Sequence, residues 1–387
     1  MSVEVVTLGC RLNLSESEEL RRVLAGEDNL IVINSCAVTA EAVRQTRAAI
    51  RRARKARPDA RLLVTGCAAE IERDALAAMP EVDGLIANAT KLDPRVWNAP
   101  DRSAPVPSGH TRAFIEVQNG CDHACTFCII PQGRGPSRSH PIAKVLRDVA
   151  RHMDAGVREI VLTGVDLTSW EIGEQRLGAL VAAILAEFPS LERLRLSSLD
   201  GVEIDPQLLE MLASEHRVMP HVHLSLQSGD DMILKRMKRR HSRRDAVELA
   251  ERLRGRRPDI AVGADIIAGF PTEDEGMHQN NLSIIAEMGI VHGHIFPYSP
   301  RPGTPAARMP QLAAATVKAR AAELRAAVAD ERSRWLASLI GTKLSVLAER
   351  DGTGHAENFA RVQLAPGTTP GTIVTVTPTR MIEGLLA

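Results

Sequence analysis

The sequence predicts an α/β protein in three parts: an N-terminal doubly wound parallel sheet, a central open partial (βα)6 barrel and a C-terminal small antiparallel β-barrel. Three observations carry this. Short β-branched runs alternate with helical stretches over most of the 387 residues, the pattern of parallel sheets built from βα units. Prolines among small polar residues at 98–111 read as a linker between two such regions. Beyond residue 340 the chain turns to alternating strand-like runs separated by Gly and Pro. The expected parts are 1–97, the linker 98–111, 112–340 and 341–387.

In the first part the strands are Val3–Leu8, Leu30–Asn34 and Leu62–Thr65. Ser15 and Glu18 form a capping-box pattern before Leu20, Val23 and Leu24 at helical spacing. Thr39 is placed to cap a helix running through Val43 and Ile50 to Pro58. Each strand ends close to a cysteine, in the contexts LGC, NSC and TGC. Parallel strands put their carboxyl ends on one edge, so Cys10, Cys36 and Cys67 can meet although they are far apart in sequence.

The strands expected in the second part are Ala113–Gln118, Glu159–Gly164, Arg193–Ser198, His221–Leu226, Ala261–Phe270 and Val291–Ser299, with helices such as Ile142–Ala155 and Arg243–Arg254 between them. Catalytic groups belong at the strand carboxyl ends of such a barrel. Gln311–Ile340, free of Gly and Pro, should be one long helix or two, stopped by Gly341. KLSVLAE, NFARVQLA and TIVTVTP supply the strands of the last part.

Composition narrows the function. Lys plus Arg equals Asp plus Glu at 48 each, which excludes a globally basic nucleic-acid binder and leaves local patches. One patch is Arg44–Arg61, with Arg47, Arg51, Arg52, Arg54, Lys55 and Arg57; the other holds Lys235, Arg236, Lys238, Arg239, Arg240 and Arg243. Phosphate contact is the role such patches suggest, and a solvated helix face is the alternative. No apolar run is long enough for a membrane span and the N-terminus lacks a secretory pattern, so a cytoplasmic protein without membrane contact is expected. In a reducing compartment six cysteines point to metal ligation or catalysis rather than disulfides.

CDHACTFC places Cys121, Cys125 and Cys128 in a short loop directly after a strand. Three thiolates can hold three irons of a four-iron cluster and leave the fourth open for a ligand. A structural zinc site with His123 as fourth ligand is the competing reading. The chain resembles the radical S-adenosylmethionine (SAM) methylthiotransferases. The likeness rests on TLGCRLN, NSCAVT and VTGC, then NGCDHACTFCIIPQGRG, IVLTGVDL, HLSLQSGDDMILKRMKR, AGFPTED and FPYSPRPGTPA, and finally GHAENFARVQL. Ser35 stands where the family usually has Thr.

The resemblance implies two [4Fe-4S] clusters, a radical SAM cluster on Cys121, Cys125 and Cys128 and an auxiliary one on Cys10, Cys36 and Cys67. It implies SAM contacts at Thr163, Gly164 and Val165, with Ser197, Ser198 and Gln227 at later strand ends; Arg134 and Arg138 could pair with a carboxylate or stay solvated. It also implies that the last part is a TRAM domain touching RNA through Phe359 and Arg361, although a lone strand Phe is more often core. TLGCRLN and GHAENFARV look most like the branch that converts tRNA N6-threonylcarbamoyladenosine, beside the anticodon, into its 2-methylthio derivative. The isopentenyladenosine branch, the ribosomal-protein aspartate branch and a metal-stabilised RNA-binding protein without turnover are the alternatives. The partners implied are tRNA and an electron donor of unknown identity; the oligomeric state is left open, and a monomer is compatible with it.

Overall fold

The structure is a computed structural model that describes residues 3–98 and 110–387; the expected linker 98–111 lies almost wholly outside them. In the N-terminal module β1 (Glu4–Thr7), β2 (Leu30–Ser35), β3 (Arg61–Gly66) and β4 (Gly84–Leu85) form one parallel sheet. Alternate residues face opposite sides of a strand. Helix α1 (Arg11–Val23) buries Leu20 and Val23 against Val5, Val32 and Leu63 on one side. Helix α2 (Ala40–Ala56) buries Val43 and Ile50 against Ile31, Ile33 and Val64 on the other. Both faces are covered as expected, but the strands run straight in the order 1-2-3-4, without the reversal of a doubly wound sheet.

Thr39 caps α2 as expected, its hydroxyl accepting from the Ala42 amide. The capping box at Ser15 and Glu18 does not form. Helix α1 begins one turn earlier, with Cys10 at the N-cap, and Ser15 Oγ instead donates to the Phe114 carbonyl of the next module. That tertiary bond outcompetes a local cap.

The central module carries β5 (Ala113–Glu116), β6 (Glu159–Thr163), β7 (Arg193–Leu196), β8 (Ser198–Leu199), β9 (His221–Gln227), β10 (Ala261–Ala268) and β11 (Ile290–Pro297). The pairings among them are parallel. The expected strand Arg193–Ser198 is interrupted at Ser197: β7 pairs with β6, β8 with β9. Along each strand one set of residues packs under the helices, among them Ile160, Leu162, Leu194, Leu196, Val222, Leu224 and Ala264. The other set (Glu159, Arg193, Arg195, His221, His223, Asp265, His292 and His294) is polar and lines the concave side. The long helix spans Ala314–Ser338, and Gly341 follows it at φ +81.

The C-terminal module is a six-stranded sheet, β12 (Leu344–Ala348), β13 (Thr353–Ala356), β14 (Arg361–Gln363), β15 (Ile373–Val376), β16 (Met381–Ile382) and β17 (Leu385–Leu386), in the order 15-12-13-14-17-16. It is mixed rather than purely antiparallel, because β14 and β17 pair in parallel. It covers the amino-terminal end of the central strands. Arg193 donates to the Ser345 carbonyl at 2.7 Å, Arg195 to the Glu357 carbonyl at 3.1 Å, and Arg112 reaches Glu349 at 2.5 Å. Phe359, in the left-handed region at φ 70, inserts its ring here. The ring stacks on His355, with centroids 4.5 Å apart, and lies 4.8 Å from the Arg195 guanidinium carbon and 5.4 Å from that of Arg112.

Phe359 is therefore a plug between two modules. Phe359→Ala is expected to destabilise the protein by about 2–3 kcal/mol through lost burial and cation–π contact. Thermal unfolding checks this: the midpoint falls while helix content at low temperature stays that of the parent.

Candidate active site: two thiol trios at one mouth

The register of the N-terminal sheet places the first trio. Ser35 pairs with Gly66, so Cys36 and Cys67 leave adjacent strands side by side. Gly9, at φ +93, brings the Cys10 turn against them: a Cβ there would lie 2.6 Å from Cys36 Cβ. Ser35 Oγ accepts from the Ala68 and Ala69 amides at 3.2 and 3.3 Å, tying β2 to α3 (Cys67–Ile71). This is the hydroxyl that Ser retains in place of Thr. Cys36 and Cys67 are buried and Cys10 is exposed. Burial pushes the Cys36 thiol up to about 11, against a bond from the Val38 amide.

Behind this trio is a buried ion network. Glu16 of α1 takes the Arg134 guanidinium at 2.7 Å and the Lys91 ammonium at 2.6 Å; Lys91 also donates to Asn34 of β2 at 3.1 Å. Arg134 further donates to Asn13 and Asn119. All three charged groups are nearly inaccessible. Burial raises the Glu16 carboxyl, but Lys91 and Arg134 outweigh it and hold the group down at about 2. Arg134 thus pairs with a protein carboxylate, whereas Arg138 folds back onto the Arg134 and Pro136 carbonyls.

The second trio lies in the loop after β5. Gly120, at φ +78, allows the Pro136 carbonyl to sit where a Cβ would stand at 1.9 Å. The Cys121 amide donates to the Gly135 carbonyl at 3.1 Å, which closes the loop. Its sulfurs receive N–H donors: the His123 amide reaches Cys121 Sγ at 3.4 Å and Arg239 Nη1 reaches Cys125 Sγ at 3.7 Å. Burial pushes Cys121 up to about 12 and Cys128 up to about 11. These thiols deprotonate on binding metal, and donors aimed at sulfur favour that state.

Around the loop stands a charged ring. His123 Nε2 is 2.7 Å from Asp166 and 3.6 Å from Glu203. Bonds to Asp166 and then Glu203 raise the imidazole to about 10; Cys121, His123 and Asp166 also bring one donor atom each within 4.8 Å of one another, a grouping able to hold a single ion through one thiol only. A lone zinc on bonds of about 2.3 Å would draw its sulfurs to about 3.8 Å of one another. Among the described residues neither trio has its three sulfurs within 4.8 Å. The donor set and its spacing fit a cluster better than one ion.

The remaining expected contacts sit at the strand ends beside this loop. Thr163 is buried and its carbonyl is used by the Val117 amide at 3.0 Å. Gly164 packs on Gln118, where a Cβ would meet Oε1 at 2.9 Å. Ser197 Oγ is buried without a partner among the described residues. Gln227 is in the left-handed region at φ 71. Val165 and Ser198 are half-buried.

The two trios share one mouth. The helix Ile130–Arg134, which follows Cys128, packs on α3, and a Cβ at Gly133 would lie 3.2 Å from Cys67 Cβ. Cys67 and Cys128 are near enough for the charge of one to raise the other.

The basic run after β9 divides. Lys235 and Lys238 are exposed. Arg236 instead donates to the Thr272 carbonyl at 3.1 Å, Arg239 to Asp200 at 2.9 Å, and Arg240 to Glu203 at 2.7 Å. Arg361 pairs with Asp351 at 2.6 Å. In the first run Arg47, Arg51, Arg54 and Arg57 meet Glu72, Glu81, Asp83 and Glu4. Sequence reasoning missed Glu16, Lys91, Asp166, Asp200 and Glu203. It also passed over HVH and HGH in β9 and β11, where His at i and i+2 must share one face of a strand.

Residues 115–282 match the radical SAM superfamily and residues 2–87 the uncharacterized protein family UPF0004. The chain is 44% identical over 382 residues to the threonylcarbamoyladenosine tRNA methylthiotransferase MtaB of Rickettsia prowazekii (strain Madrid E), covering 93% of this chain and 91% of that protein. It belongs to the radical SAM methylthiotransferases. A tRNA-2-methylthio-N(6)-dimethylallyladenosine synthase of Cereibacter sphaeroides (strain ATCC 17025 / ATH 2.4.3) is 33% identical, with 96% and 94% of the two chains covered. The solved structure of the radical SAM methyltransferase TsrM from Kitasatospora setae shares the fold, at a TM-score of 0.55 and 16% identity over 77% of this chain and 69% of that one. The protein is thus a radical SAM transferase, and no helix among its described residues is long and apolar enough to cross a membrane.

The ion network behind this methylthiotransferase's first trio gives a prediction with a sign. Glu16 has a depressed folded pKa, about 2 against an ordinary 4.5. Its contribution is full above pH 4.5 and lost as pH falls toward 2. Glu16→Gln leaves Arg134 and Lys91 buried without their carboxylate, at a cost of about 3–5 kcal/mol. Thermal midpoints measured across pH check both points: the variant is less stable at pH 7, and its acid slope is shallower than the parent's.

Proposed function

We propose that this protein converts N6-threonylcarbamoyladenosine beside the anticodon of tRNA into its 2-methylthio derivative. The observation that carries the reading is the convergence of two three-thiol sets on one mouth, in a chain so similar to a protein bearing that activity in its name. Cys121, Cys125 and Cys128 would hold the radical SAM cluster; Cys10, Cys36 and Cys67 would hold an auxiliary cluster. When bound, the first cluster supplies the electron that splits SAM to a 5′-deoxyadenosyl radical, able to attack an adenine C2–H that no side-chain base can deprotonate. One SAM gives the radical, which leaves with the C2 hydrogen as 5′-deoxyadenosine, and a second SAM gives the methyl group and leaves as S-adenosylhomocysteine; the sulfur, and the acceptor for the one electron left over as the C–S bond forms, would be supplied at the auxiliary cluster on Cys10, Cys36 and Cys67, so that C–H becomes C–SCH₃.

The chain's own residues do the rest. Gly120 and the Cys121 amide shape the thiol loop, and the Arg239–Asp200 pair fixes it to β8 and β9. Gly164 and Val165, with the unpartnered Ser197 hydroxyl, Ser198 and Gln227, would orient SAM at the strand ends. The C-terminal sheet covers the far end of the concave side, which would limit the access of water to the radical. A loop base can leave its stack and enter such a mouth. The exposed Lys235 and Lys238 are suited to phosphate contact. Arg236, Arg239 and Arg240 are occupied within the protein, so their effect on RNA would be through positioning. The parts remain 1–97, 112–340 and a TRAM-like 341–387, acting in the cytoplasm. A transient electron donor completes the scheme, and one chain contains every group named.

Anaerobic reconstitution with iron and sulfide is expected to give about eight irons per chain, and about four in Cys121→Ala and in Cys36→Ala. Cys121→Ala should release no 5′-deoxyadenosine under reductant. Cys36→Ala should still release it but form no 2-methylthio nucleoside, as read by mass spectrometry of digested tRNA. Loss of the parent gene should remove that nucleoside from cellular tRNA; its persistence would refute the reading.

A further inference from the structure

Arg11 follows Cys10 directly and its side chain leaves the N-terminal module for the concave side of the central strands. Its guanidinium carbon lies 5.7 Å from the Phe359 ring centroid. The charges it feels come from Arg112 beside β5, Glu159 of β6, Arg195 of β7 and Asp265 of β10. It thus stands among groups from four sides of the lumen. Yet it has no hydrogen bond or ion pair with any described residue.

The local carboxylates are already taken. Glu159 is held by Arg195 at 3.0 Å, Arg112 at 3.4 Å and Arg193 at 3.5 Å. Glu349 is held by Arg112. Asp265 is clamped by His223 at 2.9 Å and His294 at 3.1 Å. Four guanidiniums therefore share three carboxylates, two of which also bind imidazoles. The half-buried Arg11 guanidinium therefore has no carboxylate of its own among the described residues. An arrangement that buries a cation without a counter-charge is completed by an anionic ligand.

We infer that Arg11 is a specificity residue that receives the carboxylate of the substrate's N6 substituent. This rests on the proposed substrate and deepens it. The threonylcarbamoyl group carries one carboxylate, whereas an isopentenyl group carries none, so an unpaired cation discriminates between them by charge. Being adjacent to Cys10, the seat lies beside the trio proposed to hold the auxiliary cluster. Anchoring the N6 substituent there restrains the base whose C2 must react.

The test uses reconstituted holoenzyme and two anticodon stem-loop RNAs that differ only in the threonyl group, free acid or carboxamide. The parent should bind the acid about 30-fold or more tightly. Arg11→Gln should lose that preference by raising the Kd for the acid form alone, and Arg11→Lys should restore much of it; iron content reports whether both clusters are intact. Equal binding of acid and amide by the parent overturns the inference without needing a variant, as does an Arg11→Gln protein that keeps the parent's preference. If the parent methylthiolates isopentenyladenosine RNA and neither threonylcarbamoyl RNA, the substrate reading has failed and the seat falls with it. Turnover of the acid RNA with no acid-over-amide preference defeats the seat alone.

Discussion

The contact of Glu16 with Arg134 and Lys91 is the constraint on which the site depends. Glu16 lies on the helix that starts after Cys10, Lys91 follows the edge strand and reaches Asn34 next to Cys36, and Arg134 ends the helix that starts after Cys128. One carboxylate thereby connects the surroundings of both thiol sets. A buried ion network is a poor source of net stability, since desolvation consumes most of the Coulomb gain. Its value here is geometric. If Arg134 is drawn to Glu16, the helix Ile130–Arg134 must sit on the one beginning at Cys67, and the two trios cannot drift apart.

The same charges have an electrostatic consequence. A four-iron cluster on three thiolates carries net negative charge, and taking thiols out of water opposes their ionisation, as the upward shifts of Cys36, Cys121 and Cys128 illustrate. Arg134 acts in the opposite sense on Cys36 and Cys67, and Arg239 on Cys128. Cys10 also sits at the amino end of the thirteen-residue helix α1, where the helix dipole favours negative charge. Cations placed behind the sulfurs leave the open side of each trio to its ligands.

The lumen between the trios and the Phe359 plug follows a different logic. Its amino-terminal end is sealed by the C-terminal sheet, whose backbone carbonyls absorb Arg193 and Arg195. Toward the mouth the pairing is incomplete. A radical enzyme needs a dry, closed interior with one opening, and a module seated on the far end of an unclosed parallel sheet supplies the closure.

What the sequence determined by itself were features of short range. A CxxxCxxC loop after a strand, cysteines at three parallel strand ends, the cap at Thr39 and the stop at Gly341 depend on neighbours within a few residues, so spacing suffices to read them. Tertiary structure decided what depends on distant partners. It moved the start of α1 by replacing a local Ser15 cap with a bond to Phe114, kept the N-terminal strands in straight order, and paired β14 with β17 in parallel. It also paired Arg236 with the Thr272 carbonyl and Arg239 and Arg240 with Asp200 and Glu203, and left Arg11 without a carboxylate among the described residues. A charge in a sequence has no sign of its own pairing; only the fold brings the opposite charge near or withholds it.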